Sequence, residues 1–367
     1  MNSLRKDRLE RFQRLLAEAG FDAYFASSTV TMGYLADFFE GGGERMLLMA
    51  IPAKGEPAMI VPELSATHAQ KTGIRDIRTW KDGEDPDALF ERLAIEWGLQ
   101  TSVIAVDDEM PANYLLRMQQ ALPAALFKCG GDISAQLRKR KDPEELALMR
   151  KAAEIADAAF DEILKNIKVG MTEKQVARII LEAMSERGGI PTFCIVAAGA
   201  NGAEPHHDTS EDVIREGDIV VMDWGCMVSH YLSDITRTIA VGKASDEAKK
   251  IYEIVYKAHM SARSATRPGK RCEEIDEAAR KVIEEAGYGK YFVHRTGHGI
   301  GIQGHEPPHI VKGSKSLLEP GQCFTVEPGI YLPGKFGVRI ENVVTVTENG
   351  HESLNAEPPD TLIELDV

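Results

Sequence analysis

Two stretches of this chain decide its fold: GDIVVMDWGCMVSHYLSD at 217–234 and GQCFTVEPGIYLPGKFGVRIE at 321–341. Each begins with a glycine, continues as an apolar run typical of a buried strand, and then reaches an acidic residue. The acids, Asp223 and Glu327, both stand six residues after the first glycine of their stretch. A buried carboxylate is costly unless a cation or hydrogen bonds compensate its charge. The shared spacing therefore predicts one structural unit used twice, with a functional acid in each copy.

The region before each stretch is also repeated. KVGMTEKQVARIILEAMSERGG at 168–189 resembles RPGKRCEEIDEAARKVIEEAGY at 267–288, with a turn glycine, an amphipathic helix and a closing glycine in both. The same order of helix and strands, used twice, predicts two halves related by a pseudo-twofold axis. Two halves of this kind would bring their acidic residues together at the axis.

Each of the two strand stretches carries a second acid beyond its turn. Asp234 follows Asp223 across a loop centred at 228–229, and Glu341 follows Glu327 across a second loop. Residues directly opposed in an antiparallel hairpin point to the same face, with Cβ atoms about 5 Å apart. We therefore expect two pairs of neighbouring carboxylates, which would repel each other unless a metal ion lies between them.

A histidine adds a nitrogen ligand to these four acids. His298 lies in the string HRTGHGIG between Gly297 and Gly299, which allow the backbone to pack closely against a site. Neutral imidazole is the commonest protein metal ligand, and carboxylates are hard oxygen ligands. The set suits two divalent ions per chain, with Mn expected first and Co or Zn as alternatives. The predicted ligands are Asp223, Asp234, His298, Glu327 and Glu341.

Two further histidines are interpreted as groups that face the substrate. His206 lies in the pair that precedes the strand of Asp223, and His305 belongs to the histidine-rich segment that contains His298. Other common catalytic motifs are absent from the sequence, including nucleotide-binding glycine loops, the GxSxG nucleophile turn and the HExxH zinc motif. A two-metal hydrolase is the chemistry that these residues indicate.

Composition and charge limit the function further. The chain has 367 residues, of which 43% are hydrophobic and 27% charged, and its net charge is −14. That charge argues against binding to nucleic acid or to an anionic membrane surface. The charged, amphipathic N-terminus predicts neither a signal peptide nor a membrane span. Five cysteines without CxxC spacing are typical of reduced thiols, so we expect a cytoplasmic protein.

The length predicts two domains. Helical periodicity over 4–19 is followed by short apolar runs that alternate with helices, which indicates an N-terminal α/β domain at 1–135 with a largely parallel sheet. The basic segment at 136–142 is interpreted as a solvated linker. Asp142 and Pro143 are typical of a helix start, and they begin the second domain at 143–367.

The strings PHH, MDWG, SDITRT, HRTGHGIG, HEPP, VEPGIY and GVRIEN follow one another along the chain. Their sequence and order resemble peptidase family M24, which contains Xaa-Pro dipeptidase (prolidase), aminopeptidase P, methionine aminopeptidase and creatinase. The likeness is strong over 143–367. The first 135 residues resemble the N-terminal creatinase/prolidase-type domain of the prolidase and aminopeptidase P branch, which methionine aminopeptidases generally lack.

The resemblance implies a pita-bread catalytic domain that holds two metals and hydrolyses Xaa-Pro bonds in short proline-containing peptides, in a homodimer. It implies that Asp223 binds one metal, that His298 and Glu327 bind the other, and that Asp234 and Glu341 bridge the pair. Glu327 would also transfer the proton. The resemblance further implies roles in binding or supporting the substrate for His206, His305, Tyr331 and Arg339.

One position departs from the family pattern. In several prolidases an arginine that binds the dipeptide carboxylate follows the HEPP-like string, whereas this chain has His309 there. A protonated histidine binds a carboxylate without the two-pronged geometry of arginine. Xaa-Pro dipeptidase is the function we expect, and aminopeptidase P action on longer peptides stays open. So do a small-molecule lyase or amidinohydrolase reaction and an inactive binding protein, although the complete ligand set argues against the last.

Overall fold

The computed structural model describes residues 3–366, with side chains from residue 5. The chain divides after Arg138 into two compact units. The segment 136–142, predicted as a linker, includes the last turn of a helix that ends at Arg138. Within the described residues, no helix combines the length and the apolar character needed to cross a membrane.

The first unit is an α/β structure around one six-stranded sheet with the strand order β4-β3-β2-β1-β5-β6. Its strands are β1 (Ala23–Ala26), β2 (Leu48–Pro52), β3 (Ala58–Pro62), β4 (Asp76–Trp80), β5 (Val103–Val106) and β6 (Leu126–Cys129). Its helices are α1 (Ser3–Glu18), α2 (Thr29–Ala36), α3 (Ala66–Lys71), α4 (Pro86–Glu96), α5 (Ala112–Ala121) and α6 (Gly131–Arg138).

The expectation of a largely parallel sheet is only partly correct. β2 runs antiparallel to both of its neighbours, whereas β3–β4, β1–β5 and β5–β6 are parallel pairs. β2 and β3 are separated by the short connection 53–57, which is too short for the crossover that parallel neighbours require. Two strands joined in this way form a hairpin.

The second unit contains four α-helices and three sheets within its described residues, 139–366. Its helices are α7 (Pro143–Asn166), α8 (Glu173–Glu186), α9 (Asp246–Ala265) and α10 (Cys272–Glu285). One sheet contains β7 (Ile190–Ala198), β8 (Asp218–Val228), β9 (Tyr231–Leu232), β10 (Ile235–Val241) and, from the C-terminus, β18 (Ile363–Leu365). A second contains β11 (Gly297–Gly299), β12 (Glu306–Ile310), β13 (Cys323–Val326), β16 (Asn342–Val346) and β17 (His351–Ser353). β14 (Gly329–Leu332) and β15 (Phe336–Arg339) form a separate pair.

The helix predicted to open the second unit begins where the sequence indicated. Asp142 caps α7 by accepting hydrogen bonds from the backbone N–H groups of Glu144 and Glu145, and Pro143 occupies the first turn. The side chain of Glu145 in turn accepts from the Asp142 N–H, which completes a capping box. This start fixes the entry of the chain into its longest helix.

The predicted internal repeat is present in the structure. The residue before α8, Thr172, forms an isolated β-bridge with Val213, and the residue before α10, Arg271, forms the same bridge with Leu317. The backbone hydrogen bonds around these bridges also match in the two halves. α7 and α8 pack on the sheet that contains β8, and α9 and α10 pack on the strands of the other half, β13 among them. Each half thus supports one of the two acidic stretches.

Candidate metal centre

The first acid pair lies on the hairpin of β8 and β10, but its register differs from the prediction. Asp223 lies directly opposite Thr236 rather than opposite Asp234. The turn is formed by Ser229 and His230, whose φ angles of 46° and 71° are typical of a two-residue hairpin turn. This turn is centred one residue later than expected, so the pairing shifts by two. A shift of two keeps both acids on one face, as diagonal neighbours.

The second acid pair has the predicted register. Val326 pairs with Asn342 in β13 and β16, and β14 and β15 continue with the same register beyond the acids. Glu327 therefore lies opposite Glu341, at the short break between the two paired segments. The expectation that these two carboxylates share one face of a hairpin is confirmed.

Thr236 links the two hairpins. It forms a β-bridge with Glu341, whose N–H donates to the Thr236 carbonyl at 3.1 Å. The Thr236 hydroxyl donates to Glu341 Oε2 at 2.5 Å and accepts from Arg339 Nε at 3.1 Å. Thr236 was not predicted as a site residue, although it stands inside the recognised string SDITRT. The signal was its place in SDITRT, two residues after Asp234, where the register sets it beside Asp223.

His298 reaches the acids from β11. Its Nε2 atom is 3.5 Å from Glu327 Oε1 and 3.8 Å from Asp234 Oδ2. On the other side of the ring, Nδ1 lies 3.1 Å from the Gly299 carbonyl and donates to it, so Nε2 carries the free lone pair. A Cβ atom at Gly297 would lie 1.8 Å from the Thr325 carbonyl oxygen, which explains why glycine is needed beside His298.

Together these side chains form a group that could hold a metal. One ligand atom from each of Asp234, His298 and Glu341 lies within 4.8 Å of the others, and all three residues are buried. Asp223 Oδ1 is buried without a hydrogen-bond partner among the described residues. An orphaned carboxylate oxygen beside three such ligands is the state expected of a side chain that binds a cation.

Asp234, Glu327 and Glu341 bind a proton more readily than ordinary carboxyl groups. Burial, followed by the charges of the neighbouring acids, holds the pKa values of Asp234 and Glu341 well above their ordinary range. Burial raises the pKa of Glu327 to about 7, although Arg339 opposes the shift. Burial also lowers the pKa of His298 to about 3, so this imidazole is neutral at pH 7. Four crowded carboxylates and one neutral imidazole fit a pair of divalent cations.

Arg339 partly balances this negative charge. Its Nη2 atom donates to Asp223 Oδ2 at 2.8 Å, and its Nη1 atom donates to the Tyr331 hydroxyl at 3.1 Å. The same hydroxyl lies 2.7 Å from His294 Nε2. Arg339 and Tyr331 are both almost fully buried, and their contacts reach the Asp223 side of the cluster. Their predicted part in binding substrate stays a prediction.

The cluster opens into a cavity of about 630 Å³. All five predicted ligands line it, together with His206, His305 and Arg339. The other lining residues, which were not predicted from the sequence, are Phe193, Ile195, Pro205, His294, Arg295 and Gly304. Phe193 and Ile195 lie on β7, which makes one wall partly apolar.

His206 is exposed to this cavity and is held by its neighbour in the chain. His207 Nε2 lies 2.8 Å from Glu173 Oε2. Glu173 is fully buried, and it also accepts hydrogen bonds from the backbone of Ala198 and from Ser210. The first residue of α8 thus anchors the loop that carries His206.

His305 and His309 are joined by one guanidinium. Arg295 Nη2 is 3.1 Å from His305 Nδ1, and Arg295 Nη1 is 3.2 Å from His309 Nδ1. The His305 ring lies 3.8 Å from the His298 ring, measured between centroids. His309 is not among the residues that line the cavity and reaches it through Arg295. Arg295 was missed, although it stands inside the string HRTGHGIG.

Comparison with known proteins agrees with this geometry. Residues 147–348 match the model of metallopeptidase family M24, and residues 8–140 match the creatinase/prolidase N-terminal domain. The chain is 39% identical over 360 residues to the "Probable dipeptidase PepE" of Mycobacterium tuberculosis, covering 95% of each chain. It is 34% identical over 351 residues to the Xaa-Pro dipeptidase of Pyrococcus furiosus, covering 95% of this chain and 97% of the relative. The crystal structure of prolidase from Thermococcus sibiricus superposes with a TM-score of 0.95 at 36% identity and full coverage of both chains.

The fold, the ligand cluster and these likenesses lead to one conclusion. The chain belongs to metallopeptidase family M24, with a creatinase/prolidase-type domain before its pita-bread catalytic domain. The family and the fold predicted from the sequence are confirmed.

Proposed function

We propose that this enzyme is a two-metal Xaa-Pro dipeptidase that cleaves short peptides with proline in second place. The observation that carries the proposal is the convergence of all five candidate ligands, His206 and His305 on one cavity. The relatives named above as Xaa-Pro dipeptidase and prolidase support the choice of substrate.

The metal pair would be held by the four carboxylates and His298. We propose Mn²⁺ as the native ion, with Co²⁺ or Zn²⁺ as substitutes, because oxygen ligands with a single imidazole suit all three. When bound, the two cations would polarise the scissile carbonyl and lower the pKa of the attacking water. Asp223 would bind one ion, His298 and Glu327 the other, and Asp234 and Glu341 would bridge them.

Glu327 is the residue best placed to move the proton. Its Oε1 atom lies 3.5 Å from His298 Nε2 within the cluster, where a carboxylate can accept a proton from water and then release it. The Thr325 hydroxyl, 3.1 Å from Glu327 Oε1, orients the carboxylate. Glu327 would deliver the proton to the proline nitrogen, which must be protonated before it leaves.

His206 and His305 would stabilise the oxyanion that develops on the scissile carbonyl. His305 accepts from Arg295 at Nδ1, so its proton lies on Nε2, where it can be donated. One such donor typically contributes about 3 kcal/mol to the transition state. His309 would contact the substrate beyond His305, and Tyr331 and Arg339 would hold Asp223 and the adjoining part of the substrate.

The test is hydrolysis of an Xaa-Pro dipeptide beside an Xaa-Pro-Yaa tripeptide, after chelation and re-addition of Mn²⁺, Co²⁺ or Zn²⁺. We expect the dipeptide to be cut only after metal is restored. Glu327→Gln should abolish turnover while metal still binds, whereas Glu348→Gln, in an exposed turn, should be fully active. Preferred cleavage of the tripeptide would favour aminopeptidase P, and cleavage of neither peptide would overturn the peptidase proposal.

We also propose the assembly and setting of the enzyme. We propose domains at 1–135 and 143–367 joined by 136–142, and the division of the chain into two units after Arg138 supports the count of two. A cytoplasmic location is supported by the five cysteines, all in the described part of the chain and none in a disulfide there. A homodimer is proposed because closed twofold assemblies are the commonest oligomers, and light scattering would test it.

A further inference from the structure

The cavity presents an electrostatic problem for a dipeptide. Four carboxylates line it, and the two proposed divalent cations would balance the charge of these four alone, whereas a dipeptide brings a fifth carboxylate, its free C-terminus. That carboxylate begins on the residue after the scissile bond, so its carbon lies within about 4 Å of the scissile carbonyl carbon. A cationic group close to the catalytic cluster is needed to bind it.

Two arginines line the cavity, and one of them is already engaged. Arg339 is 4% exposed and is paired with Asp223 inside the cluster. Arg295 is half-buried, and its hydrogen bonds go to two histidine rings. Among the described residues, no carboxylate lies within ion-pair distance of the Arg295 guanidinium. Its charge is therefore free to meet one from the substrate.

The backbone around Arg295 is firmly held. The next residue, Thr296, donates from both its N–H and its hydroxyl to Asp276 Oδ1, at 3.2 and 2.8 Å. Arg280 pairs with the same Asp276 at 3.0 Å and donates to the His294 carbonyl at 2.9 Å. A side chain on so constrained a segment loses little entropy when it binds a ligand.

The two histidines complete the anion-binding geometry. A guanidinium only donates, so Nδ1 of His305 and of His309 must both accept, and each ring carries its proton on Nε2. Two of the five guanidinium N–H groups are used in this way, and three remain. Arg295 therefore aligns two imidazole donors and keeps enough of its own to bind a carboxylate.

We propose that Arg295, with His309 beside it, binds the free α-carboxylate of a two-residue substrate. This inference rests on the proposed peptidase function and makes it more specific. A third residue would replace the carboxylate with a neutral amide and lose the charge-assisted hydrogen bonds. Arg295 thus selects dipeptides over longer peptides, a task that the family resemblance places at the position of His309.

The test compares an Xaa-Pro dipeptide with its C-terminal amide, Xaa-Pro-NH₂, in the metal-loaded enzyme. We expect the wild type to prefer the free acid by at least about tenfold in kcat/KM. Arg295→Gln should reduce kcat/KM for the acid at least about ten times more than for the amide, chiefly through KM. Arg295→Lys keeps the charge but loses the two-pronged geometry, so its preference for the acid over the amide should lie between those of the wild type and Arg295→Gln. The matched control is Arg178→Gln, which replaces an exposed arginine on α8 and should leave kcat/KM unchanged for both the acid and the amide.

A second measurement needs no variant. Proline should inhibit the wild type at concentrations at least about tenfold lower than prolinamide, because the amide lacks the carboxylate. Equal inhibition by the two, or an equal loss on acid and amide in Arg295→Gln, would overturn the assignment of Arg295 while leaving the peptidase function intact. If the wild type cuts neither the acid nor the amide, the proposed function itself fails.

Discussion

Replacement of Glu327 by glutamine should stabilise the metal-free protein, and the gain should grow with pH. In the folded, metal-free state burial raises the pKa of Glu327 to about 7, against 4.5 for an ordinary glutamate. The folded chain thus holds a proton that the unfolded chain has released. Stability from this group is fully present below about pH 4.5 and is lost as the pH rises through 7. Glutamine stays neutral throughout, so the variant escapes the loss.

The magnitude follows from the shift. One pKa unit corresponds to about 1.4 kcal/mol, so the free-energy gap between metal-free Glu327→Gln and metal-free wild type should widen by at most about 3 kcal/mol between pH 5 and pH 8. Urea unfolding of chelated proteins at several pH values measures this gap. Since the comparison is between variants, titration of groups remote from residue 327 cancels.

Two controls separate this effect from a general one. Glu348→Gln, in an exposed turn, should show a gap that does not vary with pH. With Mn²⁺ at about 100 times its Kd for the wild type, binding stabilises the wild type by about 3 kcal/mol and the variant by less, because the variant has one carboxylate fewer for the metal, so the advantage of the variant should shrink. If the gap between Glu327→Gln and wild type is constant from pH 5 to pH 8, or shrinks, then burial does not hold a proton on Glu327 and the reasoning is refuted.

Three further predictions concern residues around the site. Thr236→Val removes the hydroxyl that donates to Glu341 and should weaken Mn²⁺ binding, measured by calorimetry, about 10- to 100-fold. The control Thr101→Val, on the surface of the other unit, should leave the Mn²⁺ affinity unchanged. Gly297→Ala places a Cβ atom 1.8 Å from the Thr325 carbonyl oxygen and should lower the free energy of unfolding, measured in urea, by about 3 kcal/mol. Gly350→Ala, at a position with open space around it, should lower it by under about 1 kcal/mol. Glu173→Gln should destabilise the protein by about 2 kcal/mol at pH 7, because hydrogen bonds from Ala198, Asn201, His207 and Ser210 outweigh burial and lower the pKa of Glu173. This contribution is complete above about pH 4.5 and is lost as the pH falls through the lowered pKa, so a destabilisation that stays constant as the pH is lowered from 7 to about 2 would contradict it.

The sequence was most informative where two independent signals agreed. The helix start at Asp142 and Pro143, and the opposition of Glu327 to Glu341, follow from local rules that the structure obeys. The hairpin of Asp223 was misjudged because Ser229 and His230 adopt left-handed conformations. Those conformations usually favour glycine or asparagine, so nothing in the sequence indicated where the turn falls.

Other features gave little periodic signal. α2 was not predicted because six of its eight residues are buried, which removes the alternation of polar and apolar positions that indicates a surface helix.

Arg295 was missed for a different reason. Its importance depends on contacts with His305 and His309, ten and fourteen residues later in the chain, and on the absence of a carboxylate partner among the described residues. Neither property is visible in a linear motif.

The repeated architecture has a consequence for how metal is taken up. Val220 and Phe324 occupy the same position in the two repeated stretches. Ala198 pairs with Val220 and Gly299 pairs with Phe324, so Ala198 and Gly299 are equivalent. The residue before each is then equivalent too, and His298 has Ala197 as its counterpart in the first half. A duplicated ancestor with identical halves would have offered the same ligands twice, whereas the present chain supplies nitrogen on one side alone. In the proposed two-metal site the two cation positions would therefore be chemically unequal, and titration of the metal-free enzyme should fill them in sequence rather than together.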